Sequence, residues 1–280
     1  MPPITFSMGG NMLGRPRSRP VSSLVVLAWL LSSPLGCKDA DAAEALETAR
    51  KREAKLSAQV ASLKGKLENV TIERDALTIK HETELGCRKQ VIGSLTAYGG
   101  PEGPHGEVTA RVAAQAQAQL ERRVAKRKSG EKLAIVLDVD ETALDNFEQL
   151  TGSGFCFVRE EWDQWVKTGK PGVIAGMKSL YDYARAKKVA VVFITGRREH
   201  QRDATERALR AAGFDGWEAL ILREEAETKL TAAEYKSGRR AKLEDQGFTI
   251  ALTLGDQASD LAGGHAGHTV LMPNPFYHVD

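Results

Sequence analysis

The apolar run Ala134-Ile135-Val136-Leu137 ends in Asp138-Val139-Asp140-Glu141-Thr142. A short, continuously aliphatic run of this kind reads as a strand buried on both faces, the type found in parallel sheets covered by helices. Side chains two apart on a strand share a face, so the spacing predicts Asp138 and Asp140 on one side of the carboxyl edge. Open α/β sheets bind their ligands at that edge. Two carboxylates this close repel each other unless a cation or a shared proton relieves them. The arrangement suits a divalent metal, a nucleophile and a proton donor in one small space. D-x-D-x-T alone is a weak signal, arising by chance about once in ten or more chains of this length. A strand ending in a solvated acidic turn would look the same, so the rest of the chain has to decide.

Strands are expected at Leu133–Leu137, the run just described, and at Val189–Ile194, Ala219–Leu222, Thr249–Leu254 and Thr269–Met272. Between them lie helical stretches near Ile174–Lys187, Glu199–Ala212 and Ala233–Gln246. Alternation of strand and helix implies an α/β fold with a mainly parallel sheet and helices on both faces. Three strand ends carry chemistry. The first offers Asp138 and Asp140, the second Thr195-Gly196-Arg197, and the fourth Gly255-Asp256-Gln257-Ala258-Ser259-Asp260. Tyr235-Lys236-Ser237 opens a helix between the last two. Singly, each has a plain reading as a turn, a helix cap or a surface lysine. In this order and at these places, they form one candidate site of hydroxyl, amine and carboxylates. Arg197 is either a substrate contact or a structural cation, and Arg240 reads as structural. Gly263-Gly264-His265-Ala266-Gly267-His268 reads as a flexible loop, because its glycines give no rigid metal geometry.

The rest of the 280 residues fall into two further segments. Arg15, Arg17 and Arg19 precede the apolar run Val21–Leu31, and small residues follow. That order matches an export signal, and the run is short for a membrane span. From Lys38 to Gly100 there is no proline. Leu46, Ala49, Leu56, Val60, Leu63, Leu67, Val70 and Leu77 step by threes and fours, a heptad seam with polar breaks at Glu53 and Arg74. This reads as a helical stalk that meets a second copy of the chain, or as a single charged helix. Tyr98–Pro104 breaks it, and a second helix is expected over Glu107–Lys128. The divisions are therefore a signal at 1–37, a coiled-coil stalk at 38–98 and a catalytic head at 99–280. A net charge of +2 gives no case for nucleic acid as a partner. Cys37, Cys87 and Cys156 lack metal-ligand spacing and form no disulfide framework.

The order Asp-x-Asp-x-Thr, Thr, Lys, Gly-Asp-x-x-x-Asp resembles the four motifs of the haloacid dehalogenase (HAD) superfamily of phosphohydrolases. Tyr235-Lys236-Ser237 with Arg240, Gly255–Leu261 and Pro273-Asn274-Pro275-Phe276-Tyr277 look like its acid phosphatase branch, as do Trp162-Asp163-Gln164-Trp165 and Leu220–Arg223. That branch holds class B and class C bacterial acid phosphatases and plant vegetative storage proteins. The likeness spans about Glu107 to Asp280 and implies a HAD-like, Rossmann-type sheet with a small or absent cap. It implies Asp138 as nucleophile, Asp140 as general acid and base, and Thr195, Gly196 and Lys236 around the phosphate. It also implies Mg²⁺ at Asp138, Asp140 (through its main-chain carbonyl), Asp256 and Asp260. The expected activity is hydrolysis of phosphate monoesters through an aspartyl-phosphate, with an acidic optimum. A storage or binding protein without turnover, and a phosphotransferase, are the alternatives. Leu35-Gly36-Cys37 resembles a bacterial lipobox, which implies lipidation of Cys37 and a secreted, outer-membrane-anchored protein of the bacterial cell envelope.

Overall fold

Each apolar strand followed by a helix buries one more layer against a growing sheet, and the chain repeats that unit. The structure, a computed structural model, describes residues 39–100 and 102–279. The expected signal at 1–37, Cys37 included, lies outside the described residues. The chain divides into two units, Met1–Leu77 and Thr78–Asp280.

Every described residue of the first unit belongs to helix α1, which runs Asp39–Gly99. The seam residues Leu56, Val60, Leu63, Leu67, Val70 and Leu77 are each at least 50% exposed. Ile72 and Ile79 are exposed as well, off the seam. No helix among the described residues is long and apolar enough to cross a membrane.

In the second unit, α2 (His105–Ala125) leads into β1 (Lys132–Leu137). There follow β4 (Ala190–Arg198), β5 (Ala219–Arg223), β6 (Phe248–Gly255) and β7 (His268–Leu271), in the spatial order β5-β4-β1-β6-β7 with every pairing parallel. Alternate strand residues enter two different cores. Leu133, Ile135, Leu137, Val191 and Phe193 pack on the side of α2 and α5 (Met177–Ala186). Val136, Val192 and Ile194 pack with Tyr235 and Leu243 of α7 (Ala232–Asp245). The pairing of β1 with β6 slips by one residue: Ala134 faces Ile250, and Ile135 faces Leu252.

Elements missed by the sequence reading lie between β1 and α5. A two-residue antiparallel pair, β2 (Leu144–Asp145) with β3 (Gly172–Val173), brackets α3 (Phe147–Gly152) and α4 (Arg159–Thr168). These helices stand where the resemblance implies a small or absent cap. The α5 helix starts at Met177 rather than Ile174, because Gly176 at its amino end takes a left-handed φ of 85°. The stretch expected as a helix from Glu199 opens with a 3₁₀ turn, Glu199–Gln201, before α6 (Arg202–Ala211). A short helix, α8 (Ala258–Leu261), follows β6.

Candidate active site

Asp138 is the first residue beyond β1, and its amide donates to the carbonyl of Leu254 at 3.0 Å. That bond carries the sheet ladder one step past the strand and fixes the backbone under a side chain only 8% exposed. The α7 helix begins with a full capping box, Thr231 with Glu234, which fixes its start. Lys236 in its next turn is buried, and its Nζ donates to Asp138 Oδ1 at 2.7 Å and to Asp260 Oδ1. Asp256 follows β6, where Thr142 Oγ1, Gln257 Nε2 and Asn274 Nδ2 donate to its carboxylate at 3.3, 2.5 and 2.7 Å. Asp260 Oδ2 accepts from the Gln257 amide at 2.9 Å. Gly255 lies so close to Asp260 that a Cβ would overlap the carboxylate, so only glycine admits that approach.

Asp138, Asp256 and Asp260 each bring an oxygen within 4.8 Å of the others. Burial pushes Asp138 well above the ordinary carboxylate value; Lys236 opposes the shift, and Asp260, Asp256 and Asp140 add to it. Asp256 is raised too, by burial and then by Asp260. Burial works against the charge of Lys236, but Asp138 and Asp260 outweigh it and hold it above its usual value. Three carboxylates beside one ammonium leave an excess of negative charge. An all-oxygen, anionic set of this kind fits a hard divalent cation.

Asp140 is not part of that cluster. Strand alternation predicted both acids on one face, but β1 stops at Leu137, and the chain turns before Asp140. Its carboxylate pairs with Arg197, Nε to Oδ2 at 3.0 Å and Nη2 to Oδ1 at 2.6 Å. Asn146 Nδ2 donates to the same Oδ1 at 3.0 Å. Arg197 is thus the partner of the second acid; burial opposes its charge, and Asp140 more than restores it. Arg197 is also braced by Thr205 Oγ1 at 3.3 Å and lies 5.6 Å from the Trp162 ring centroid.

Thr195 is buried at the same edge. Its Oγ1 accepts from the Arg197 amide at 3.1 Å, and its carbonyl accepts from Tyr235 at 3.2 Å. Gly196 is exposed beside it, with open space where a Cβ would be. Arg240 is structural: it is fully buried and donates to the carbonyls of Asp260 (2.5 Å), Ala262 and Gly264. Those bonds pin part of the glycine tract that read as a loose loop. Cys87 and Cys156 are free and exposed.

The sequence reading missed a buried polar layer behind Asp140. Glu141 holds a left-handed φ of 50° and is 2% exposed. Its Oε1 accepts from the Asn146 amide and from Asn146 Nδ2 at 3.1 and 2.9 Å, and its Oε2 from Tyr277. Burial, then the Asp140 charge, pushes Glu141 up to about 8, against the Tyr277 and Asn146 bonds. Trp165 Nε1 donates to Asn146 Oδ1 at 2.8 Å. Trp165 and Tyr277 therefore serve as internal partners. Glu141 stood in the same run as Asp138 and Asn146 four residues beyond its end, but no period distinguishes a partner from a bystander there.

The family model described as HAD superfamily, subfamily IIIB (Acid phosphatase) matches residues 93–280. Acid phosphatase 1 of Solanum lycopersicum is 35% identical over 148 residues, 51% of this chain and 58% of its own. The Stem 28 kDa glycoprotein of Glycine max is 32% identical over 154 residues, 53% of this chain and 61% of its own. The chain thus spans about six tenths of the length of these curated relatives. The class C acid phosphatase from Bacillus anthracis superposes with a TM-score of 0.56 at 25% identity, covering 68% of this chain and 86% of that one.

Proposed function

The chain belongs to subfamily IIIB of the HAD superfamily, the acid phosphatases, and from that premise we propose that it is a metal-dependent phosphomonoesterase working through an aspartyl-phosphate. The observation that carries the reading is Asp138, buried between Lys236 and the carboxylates of Asp256 and Asp260. Asp138 attacks the phosphorus of a phosphate monoester while the ester oxygen leaves with a proton from Asp140. Asp140 then takes a proton from the water that attacks the aspartyl-phosphate. Inorganic phosphate leaves, and Asp138 is restored. Lys236 restrains Asp138 and offsets phosphate charge, and Thr195 and the Gly196 backbone hydrogen-bond the phosphoryl oxygens. Arg197 and Asn146 hold Asp140 in place.

Mg²⁺ would be held by Asp138, Asp256 and Asp260, with the Asp140 main-chain carbonyl as a further oxygen donor. It would let an anionic nucleophile approach an anionic ester and offset charge growing on the phosphoryl oxygens. The test is phosphate release from p-nitrophenyl phosphate, with and without EDTA. EDTA should abolish it, Mg²⁺ should restore it, and the rate should be greatest at acidic pH. Asp138→Asn should fall to background; full activity in that variant overturns the mechanism.

The exposed seam of α1 supports self-association with a second copy of the chain through the stalk. The signal-like segment and Cys37 support export to a bacterial envelope with a lipid anchor.

A further inference from the structure

We propose that Asn146 and Trp165 are positioning residues: Trp165, reaching in from the cap, dictates which way the Asn146 amide points, and that amide aims Asp140 at the leaving oxygen. The inference rests on the phosphatase reading above and adds to it a link between the cap and the proton donor.

The two ends of an asparagine amide are nearly equal in size, so its neighbours decide its orientation. Asn146 is fully buried, so bulk solvent does not compete for either orientation. An indole N–H can only donate, so the end facing Trp165 Nε1 at 2.8 Å has to be Oδ1. The opposite end faces Asp140 Oδ1 at 3.0 Å and Glu141 Oε1 at 2.9 Å. Both Asp140 oxygens accept from Arg197, so that carboxylate acts as an acceptor and the amide end facing it has to be the NH₂ group. Flipping the amide would set its oxygen against the Asp140 carboxylate and its NH₂ against an N–H. Leaving buried polar groups unmatched in this way costs the whole of their desolvation.

Asp140 is thereby held from two sides. Arg197 grips both carboxylate oxygens, and Asn146 adds a second donor on Oδ1. The arginine pair alone permits swinging about the guanidinium; the amide removes that freedom. Trp165 lies on α4 and is itself seated by Gly169. A Cβ at Gly169 would fall 2.5 Å from ring atoms Cδ2 and Cε3 and 2.6 Å from the Trp165 carbonyl oxygen. Gly169 has φ −65° and ψ 163°, which alanine adopts without strain, so Gly169→Ala acts by bulk, pressing on the indole and on the Trp165 carbonyl in the last turn of α4.

A positioned acid matters most when the leaving group is a strong base. An alkoxide leaving from an alkyl phosphate needs the Asp140 proton, whereas p-nitrophenolate departs largely without it. The experiment measures kcat and KM of the full chain with Mg²⁺ on 2-glycerophosphate and on p-nitrophenyl phosphate. It compares wild type with Trp165→Phe, Gly169→Ala and Asn146→Ala. The ratio of kcat/KM on the alkyl ester to kcat/KM on the aryl ester, which reports the step before the shared aspartyl-phosphate, should fall roughly ten- to a hundredfold in each variant, the scale of a group misplaced by about 1 Å. KM for the alkyl ester should stay within a fewfold of wild type. An unchanged ratio, whether both rates hold or both fall together, overturns the proposal. If Trp165→Phe or Asn146→Ala fails to fold, the ratio in Gly169→Ala decides. Wild type inert on both esters, or Asp138→Asn as active as wild type, overturns the phosphatase reading itself, and the inference falls with it.

Discussion

Glu141 is a carboxyl group that folding brings away from water to face another acid. Its folded value of about 8 exceeds the ordinary 4.5. The native state therefore binds a proton that the unfolded chain releases between those two values. The associated stability is complete below pH 4.5 and is lost as pH rises through 8. In EDTA, thermal or urea unfolding should show stability rising as pH falls across that window, by at most about 1.4 kcal/mol per pH unit from this group. Glu141→Gln, which keeps the shape but cannot titrate, should flatten the slope; an equal slope in both proteins refutes the assignment. Asp138, Lys236, Asp256 and Asp260 were legible beforehand because each stood at a strand end or in the first turns of a helix. Glu141, Asn146 and Tyr277 were not. Glu141 meets Tyr277 across 136 positions of chain, and no local pattern reports such a pairing. Arg197 read equally well as substrate contact or scaffold, and its bond to Asp140 is a third role.

Among elements, the five parallel strands were readable because burial on both faces leaves continuous apolar runs. Their ends moved by at most four residues, the most in β4, which continues to Arg198 and so carries Thr195 and Arg197 within the strand. The pair β2–β3 is too short to display a period, and α3 and α4 each bury a single apolar residue, Leu150 and Val166, which marks no face, so none of them was readable. That gap concealed Trp165 as the support of Asn146. The stalk seam poses the opposite case: its pattern was plain, and its apolar residues stand at least half exposed in α1. Heptad seams associate by burying those residues against a second helix. The full chain should sediment as a dimer, and Leu63→Asp with Leu67→Asp should give monomers that retain phosphatase activity. A wild type that is monomeric at micromolar concentration removes the seam as an interface.

For the whole molecule, the family match begins at residue 93, so most of α1 lies outside it. The catalytic proposal therefore belongs to the second unit, and the envelope proposal to the segment ahead of the helix. The two separate experimentally. Cys37→Ala expressed in a bacterial host should move the protein from the membrane pellet to the soluble fraction at undiminished specific activity. An unchanged distribution refutes the lipid anchor without touching the chemistry. The β6 slip has a consequence at this same scale. Between Ile250 and Leu252 the strand holds one surplus residue relative to β1, and beyond it Leu252 and Leu254 pair in step with Ile135 and Leu137. The irregularity works as a vernier. Were the ladder regular with Ala251 kept in step, Ile135 would face Ala251, everything downstream would slide one position against β1, and Asp256 would arrive out of phase with Asp138, so the imperfection sets the timing of the metal cradle.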